Sequence, residues 1–388
     1  MIKTILILLS LICCIDLHSK DIILDGRKDV AKQMIVENAN YIVRSSINLK
    51  GKTISIPSNS TLTIKGGLLS NGTLIGSNTK LIYEGSVFNK VKICGSWNVP
   101  ILRSSMFQNI AEQDVLKELI ALSSPNVSNK IYVEKGTYLV SAPTAIKGAL
   151  DLKSNTNLSI DGTISLVPNN FTGCSVIRVK NSANVTITGK GIIEGDKLKH
   201  TGATGEWGMG IQIMASKNVI VEGLTVCNCW GDCIYIGDNS SNVTISACNL
   251  HYARRQGISV TYATNCKIDR CVIHDIAGTA PEYGIDFEPN ANCSVHHMYV
   301  SNTEIYNCKG GMIAGIKGGN APNASVGDVV IEGCYVHSLR TKNYFRWHNC
   351  KNITIKNCRI DKPKRECTFM VDATNIRYTN IKELWRKR

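Results

Sequence analysis

The phrase "NVTISACNL" (242–250) returns 23 residues later as "NCKIDRCVI" (265–273). Variants of it stand at Asn184 ("NVTITGKGI"), Asn218 ("NVIVEGLTV"), Asp328 ("DVVIEGCYV") and Asn352 ("NITIKNCRI"). Successive starts lie 34, 24, 23, 63 and 24 residues apart. The unit is therefore 23–24 residues with insertions, and the gap of 63 holds two enlarged units. Each unit carries two short stretches of alternating apolar and polar residues and no helical period. A repeat of this length is a stacking unit rather than a hairpin. The expectation is an all-β solenoid, a right-handed parallel β-helix whose coils stack about 4.8 Å apart.

Stacking gives two repeated residues a purpose. Asn184, Asn218, Asn242, Asn265 and Asn352 share one turn position, so their amides can hydrogen-bond up and down a ladder. Six residues further on come Leu224, Cys248, Cys271, Cys334 and Cys358. Leucine shares the site with cysteine, so these thiols read as small buried hydrophobes. Parallel neighbours one strand apart also exceed the relaxed Cβ–Cβ reach of a disulfide, about 3.8 Å. The chain has 16 cysteines, without a zinc-type CxxC pair. A bridge at Cys227, Cys229 or Cys233 stays open.

The remaining chain divides by composition. Lys3, the apolar run "ILILLSLICCI" and polar "DLHSK" read as a secretory signal peptide over residues 1–19. The run is too short for a span of roughly 20 apolar residues. The alternative is a lipoprotein cysteine at Cys13 or Cys14, the one route to membrane attachment. Residues 20–100 form a small β region of Gly- and Asn-bounded strands, either a separate unit or extra coils. The β-helix occupies 101–366. It begins with "EQDVLKELIAL", which puts Val115, Leu116, Leu119 and Ile120 on one face of a capping helix. A basic tail covers 367–388. The net charge of +14 suits an acidic polymer or an anionic surface, or is a solvated tail. No aromatic–basic pattern for nucleic acid is present. Composition leaves monomer or trimer open.

Aligning the second strand of four coils, "GIQI" (210–213), "CIYI" (233–236), "GISV" (257–260) and "GIDF" (284–287), sets the facing. Ile211, Ile213, Ile234, Ile236, Ile258, Val260, Ile285 and Phe287 point inward. Gln212, Tyr235, Ser259 and Asp286 point outward, followed by Met214, Gly237, Thr261 and Glu288. The preceding turns supply Glu206, Trp207, Asp232, Arg254, Arg255, Gln256 and Tyr283. Acids, arginines and aromatics thus collect on one outer face, a suitable bed for sugar rings.

Residues 130–359 resemble the pectin-lyase-like β-helix superfamily, nearest to polygalacturonase-type glycoside hydrolases. The resemblance rests on "IYVEKGTYLV", "LKSNTNLSIDGTISL", "NVTITGKGIIEGD" and "NCWGDCIYIGD" (228–238). Asp232 then matches the second aspartate of that family's Gly-Asp-Asp-Cys motif. The first aspartate is Gly231 here, and Met209 replaces another catalytic aspartate. Gln256 stands for the histidine, and Asp286-Phe287-Glu288 replaces the cations that grip galacturonate. The resemblance implies a secreted carbohydrate-active protein with altered chemistry. One reading is a glycoside hydrolase with Asp232, Asp286 and Glu288 as the acid/base set and no cofactor. Its substrate would lie on Glu206, Trp207, Tyr235, Arg254, Arg255, Gln256 and Tyr283. A second is a polysaccharide lyase in which the three acids hold Ca²⁺ and an arginine takes the proton. A third is a non-catalytic polysaccharide-binding β-helix.

Overall fold

The computed structural model describes residues 20–315, 322–362 and 368–383. The segment read from sequence as a signal peptide, part of the basic tail and two short stretches lie outside these. Three parallel sheets run the length of the solenoid, with 11, 10 and 9 strands among the described residues. A typical coil contributes one strand to each: Ile234–Gly237, Ser240–Ser246 and Asn249–His251, before the chain enters the next coil at Ile258–Val260. The fold is the expected right-handed parallel β-helix.

Register along the nine-stranded sheet follows the alignment read from sequence. Gln212, Tyr235, Ser259 and Asp286 pair in succession, flanked by Ile211–Ile234–Ile258–Ile285. All four isoleucines are fully buried. Glycine at strand entry has a steric cause: a Cβ on Gly257 or Gly284 would lie 2.3 or 2.5 Å from a methyl of Ile273 or Ile305.

The asparagine position is a left-handed corner. Asn184, Asn218, Asn242, Asn265 and Asn352 have φ between 55 and 59°, a region asparagine tolerates better than most residues. Nδ2 of Asn218 donates to Oδ1 of Asn184 at 3.0 Å, and Asn242 to Asn218 at 3.1 Å. Asn352 donates to Asp328 at 2.9 Å. The 63-residue gap holds two enlarged coils, and His297 fills the corner between them at φ 57°.

The cysteine ladder also has a local cause. Cys248, Cys271, Cys334 and Cys358 each point their thiol at the carbonyl two residues earlier, at 3.3–3.5 Å. In the coil of His297 the same place is Thr303, whose hydroxyl donates to Ser301 O at 2.9 Å. The position favours a small buried side chain with a hydrogen to give. All four cysteines are buried and unbridged, as are Cys227, Cys229 and Cys233.

The capping helix is Glu112–Ala121. Leu116 and Leu119 are buried, and Val115 and Ile120 pack against the core. Glu118 accepts the backbone N–H of Ile93 at 2.6 Å, tying the helix to the amino-terminal region. That region forms an eight-stranded parallel sheet, and the hydrophobic core continues without a break from Leu24 to Ile360. At the other end, Thr368–Val371, Thr374–Thr379 and Lys382–Glu383 add one strand to each sheet. Residues with the composition of a tail therefore continue the solenoid.

Candidate functional site

The outer face of the nine-stranded sheet carries a groove of about 620 Å³. Glu206, Trp207, Tyr235, Arg255 and Glu288 line it. Trp207 is 52% exposed and Met209 is buried at the groove wall. The phenol of Tyr235 shares a 2.7 Å hydrogen bond with the hydroxyl of Thr261.

Arg255 organises the acids. Its guanidinium lies 3.3 Å from Glu206, 3.2 Å from Glu288 and 3.8 Å from Asp232. These carboxylates come from three different coils, beside strands Trp207–Met214, Ile234–Gly237 and Tyr283–Phe287, so one side chain bridges several coils. Ser259 donates to Oδ2 of Asp232 at 2.7 Å, while Oδ1 of Asp232 is buried and has no partner. Asp232 is fully buried, and burial pushes its carboxyl up to about 7 against the pull of Arg255 and Ser259. Arg255 is itself held further in its charged form by the surrounding acids.

Asp286 faces the same side of the sheet but is 1% exposed. Gln256 Nε2 donates to its Oδ2 at 2.5 Å, and the backbone N–H of Tyr283 donates to Gln256 Oε1 at 2.8 Å. The glutamine is thereby fixed with its amide toward the acid. Burial, then the charge of Glu288, raise the Asp286 carboxyl well above its ordinary value. Its Oδ1 is also buried without a partner.

The structure thus brings Glu206, Asp232, Arg255 and Glu288 together, with Asp286 beneath them. Alternation places the polar row on the outer side, yet Asp232, Gln256 and Asp286 are covered rather than open to solvent. Arg255 and Ser259 lie against Asp232, and Gln256 against Asp286, and a period of two carries no information about such contacts between coils. Gln256 holds Asp286 instead of lining the groove. Tyr283 is buried, its ring against Gly310. Arg254 is committed elsewhere: it lies over the Trp230 ring at 3.8 Å and donates to Gly205 O at 2.6 Å. Trp230 also stacks on His200, with ring centroids 4.0 Å apart, so Arg254 fixes a turn. Ser259, Arg178 and Lys180 were not assigned to the site. The alternation that points Asp286 outward, run two residues at a time through "VIRVK", would have found the last two.

Gly231 has a structural cause too. A Cβ there would lie 2.3 Å from Glu206 O and 2.9 Å from Gly208 N. The place where the resembled family carries an aspartate is filled by the backbone of the preceding coil. Among the described residues no group of three or more His, Cys, Asp or Glu is arranged around a metal position. The Ca²⁺ expected of a lyase fits this site poorly, because Asp232 and Glu288 converge on a guanidinium and Asp286 is buried against Gln256.

Residues 146–297 match the family model described as "Right handed beta helix region". The uncharacterized protein YclG of Bacillus subtilis (strain 168) is 29% identical over 207 residues, covering 46% of this chain and 35% of its own. The chain spans about a third of the length of the curated relatives it matches. Among solved structures, the tailspike protein of E. coli bacteriophage HK620, in complex with a pentasaccharide, superposes with a TM-score of 0.49 at 17% identity. That match covers 70% of this chain and 56% of the tailspike. The A-module of Azotobacter vinelandii mannuronan C-5 epimerase AlgE4 gives 0.47 at 11% identity, covering 67% and 89%. By its three parallel sheets this chain folds as a right-handed parallel β-helix, and residues 146–297 match the family model for that region.

Proposed function

We propose that this chain is an exported glycoside hydrolase that cleaves a polysaccharide in the groove of the nine-stranded sheet. The observation that carries this reading is Arg255 held between Glu206, Glu288 and the buried Asp232. Hydrolysis of a glycosidic bond needs one protonated and one ionised carboxyl. Asp232, raised to about 7, still carries its proton in about half of the molecules at neutral pH and is the acid. Glu288, ion-paired and 44% exposed in its side chain, is the base or nucleophile. Contacts of 3.8 and 3.2 Å to one guanidinium keep the two carboxyls within roughly 9 Å, inside the span over which such pairs act. Asp232 is covered, so Arg255 must swing aside for the acid to reach the bond. Its longest contact, 3.8 Å, is the one to Asp232. Trp207 and Tyr235 offer ring faces to sugars.

The lyase reading needs an arginine to accept a proton. The acids around Arg255 oppose this by holding it charged. A polysaccharide-binding role without turnover keeps the groove and drops the chemistry. Digestion of a polysaccharide panel, scored for new reducing ends and for ultraviolet-absorbing unsaturated ends, separates the three. Hydrolysis gives reducing ends alone, lysis gives both, and binding gives neither.

A further inference from the structure

A second hollow, of about 460 Å³, opens on the same sheet beyond the groove. It lies between strand Gly148–Leu152 and the capping helix, which contributes Asp114, Lys117 and Ile120. The two hollows meet at one ridge. Arg178 lines the groove, Asp151 lines the second hollow, and the two form a bidentate ion pair at 2.7 and 2.8 Å. Arg178 also donates to Ile146 O at 3.1 Å.

Ile146 is the unusual residue on this ridge. It is 70% exposed and lines the groove, and its φ is 59°. A β-branched residue is strained there, by about 1–3 kcal/mol. Its N–H to Gly173 O at 2.6 Å and its carbonyl to Arg178 hold it in place. Nothing in the packing of an exposed side chain repays that strain, whereas glycine would adopt the angle freely.

We infer that this ridge and the hollow behind it form a distal saccharide subsite, occupied by the far end of the same glycan that lies at Asp232 and Glu288. The inference rests on the reading of the groove as a polysaccharide site. The ridge strand is three strand steps from the strand after Asp232 and five from the strand before Glu288. Those steps are about 14 and 24 Å, a length that takes several sugar rings. Ile146 presents an apolar edge to a ring face. Asp151, 54% exposed in its side chain, and Lys117 meet hydroxyls or a charged substituent.

The test uses the full chain on an array of defined short and long oligosaccharides, with Ile146→Gly and Ala149→Trp compared to wild type. Ile146→Gly relieves the backbone, so its melting temperature should not fall. Ala149→Trp fills the second hollow. Wild type should bind long glycans at least ~10-fold more tightly than short ones of the same composition; both variants should lose that preference, and Ala149→Trp, which lies outside the groove, should keep short-glycan binding. Binding of glycans by wild type with no dependence on length, or an unchanged preference in both variants, overturns the distal subsite and leaves the groove. No binding of any glycan overturns both.

Discussion

Asp232→Asn should make the protein more stable while removing its activity. The wild-type carboxyl has an ordinary value of 3.8 and is pushed up to about 7 by burial. A raised acid favours the folded state only while protonated. Its contribution is therefore intact below pH 3.8, is lost as pH rises toward 7, and stays lost above. A difference of about 3 units at 1.36 kcal/mol each gives about 4 kcal/mol. Asparagine mimics the protonated form at every pH and can still accept the hydroxyl of Ser259. The variant should match wild type near pH 4 and exceed it at pH 8 by up to about 4 kcal/mol. With an urea slope of about 3 kcal/mol/M or more for a chain of this size, the midpoint moves by about 1 M. Asp286 is raised as well, so the quantity to follow is the difference between the two proteins across pH, measured by circular dichroism. Parallel curves, or a variant less stable than wild type at pH 8, would refute the buried-acid account.

Other outcomes follow from the same contacts. Ser259→Ala removes a hydrogen bond that lowers the Asp232 carboxyl, so the alkaline limb of a pH–activity profile should move upward; an unmoved limb argues that Asp232 is not the titrating acid. Gly231→Asp should not create polygalacturonase activity and should lower the melting temperature, because its Cβ would strike Glu206 O at 2.3 Å; a stable variant that releases galacturonate contradicts this. Thiol titration of denatured, unreduced protein should find Cys248 and Cys271 free; either one in a disulfide breaks the ladder account.

The solenoid was legible because its repeat is a local pattern, and each coil makes the same corner and the same inward row. Where the pattern failed, a different residue met the same need. His297 takes the left-handed corner and Thr303 takes the hydrogen-bonding place of cysteine, so the coil between Asn265 and Asp328 had no asparagine signature. The facing of Asp286 and Ser259 was equally legible, since alternation is strict on a strand. The fates of Arg254, Gln256 and Tyr283 were not. Arg254 and Arg255 are adjacent in one turn, yet one lies on Trp230 and the other reaches three acids. Turn geometry and contacts between coils decide that, and both involve residues 20–50 positions apart. Ile146 shows the same limit, because its backbone angle comes from Gly173 and Arg178, not from its neighbours in sequence.

If Asp232 and Glu288 cleave a glycan in the groove beside Arg255, removing either carboxyl must remove turnover. The most direct measurement compares wild type, Asp232→Asn, Glu288→Gln and a remote control, Glu332→Gln, on one polysaccharide panel that includes polygalacturonate. Glu332 lies on the eleven-stranded sheet, bonded to Tyr299 and Lys356. Wild type and the control should release reducing ends without ultraviolet-absorbing ends from at least one glycan other than unmodified polygalacturonate. Both site variants should lose at least ~10²-fold in turnover, the low end of what a positioned acid or base contributes. Unsaturated ends, undiminished turnover in either site variant, or no new ends from any glycan would contradict it.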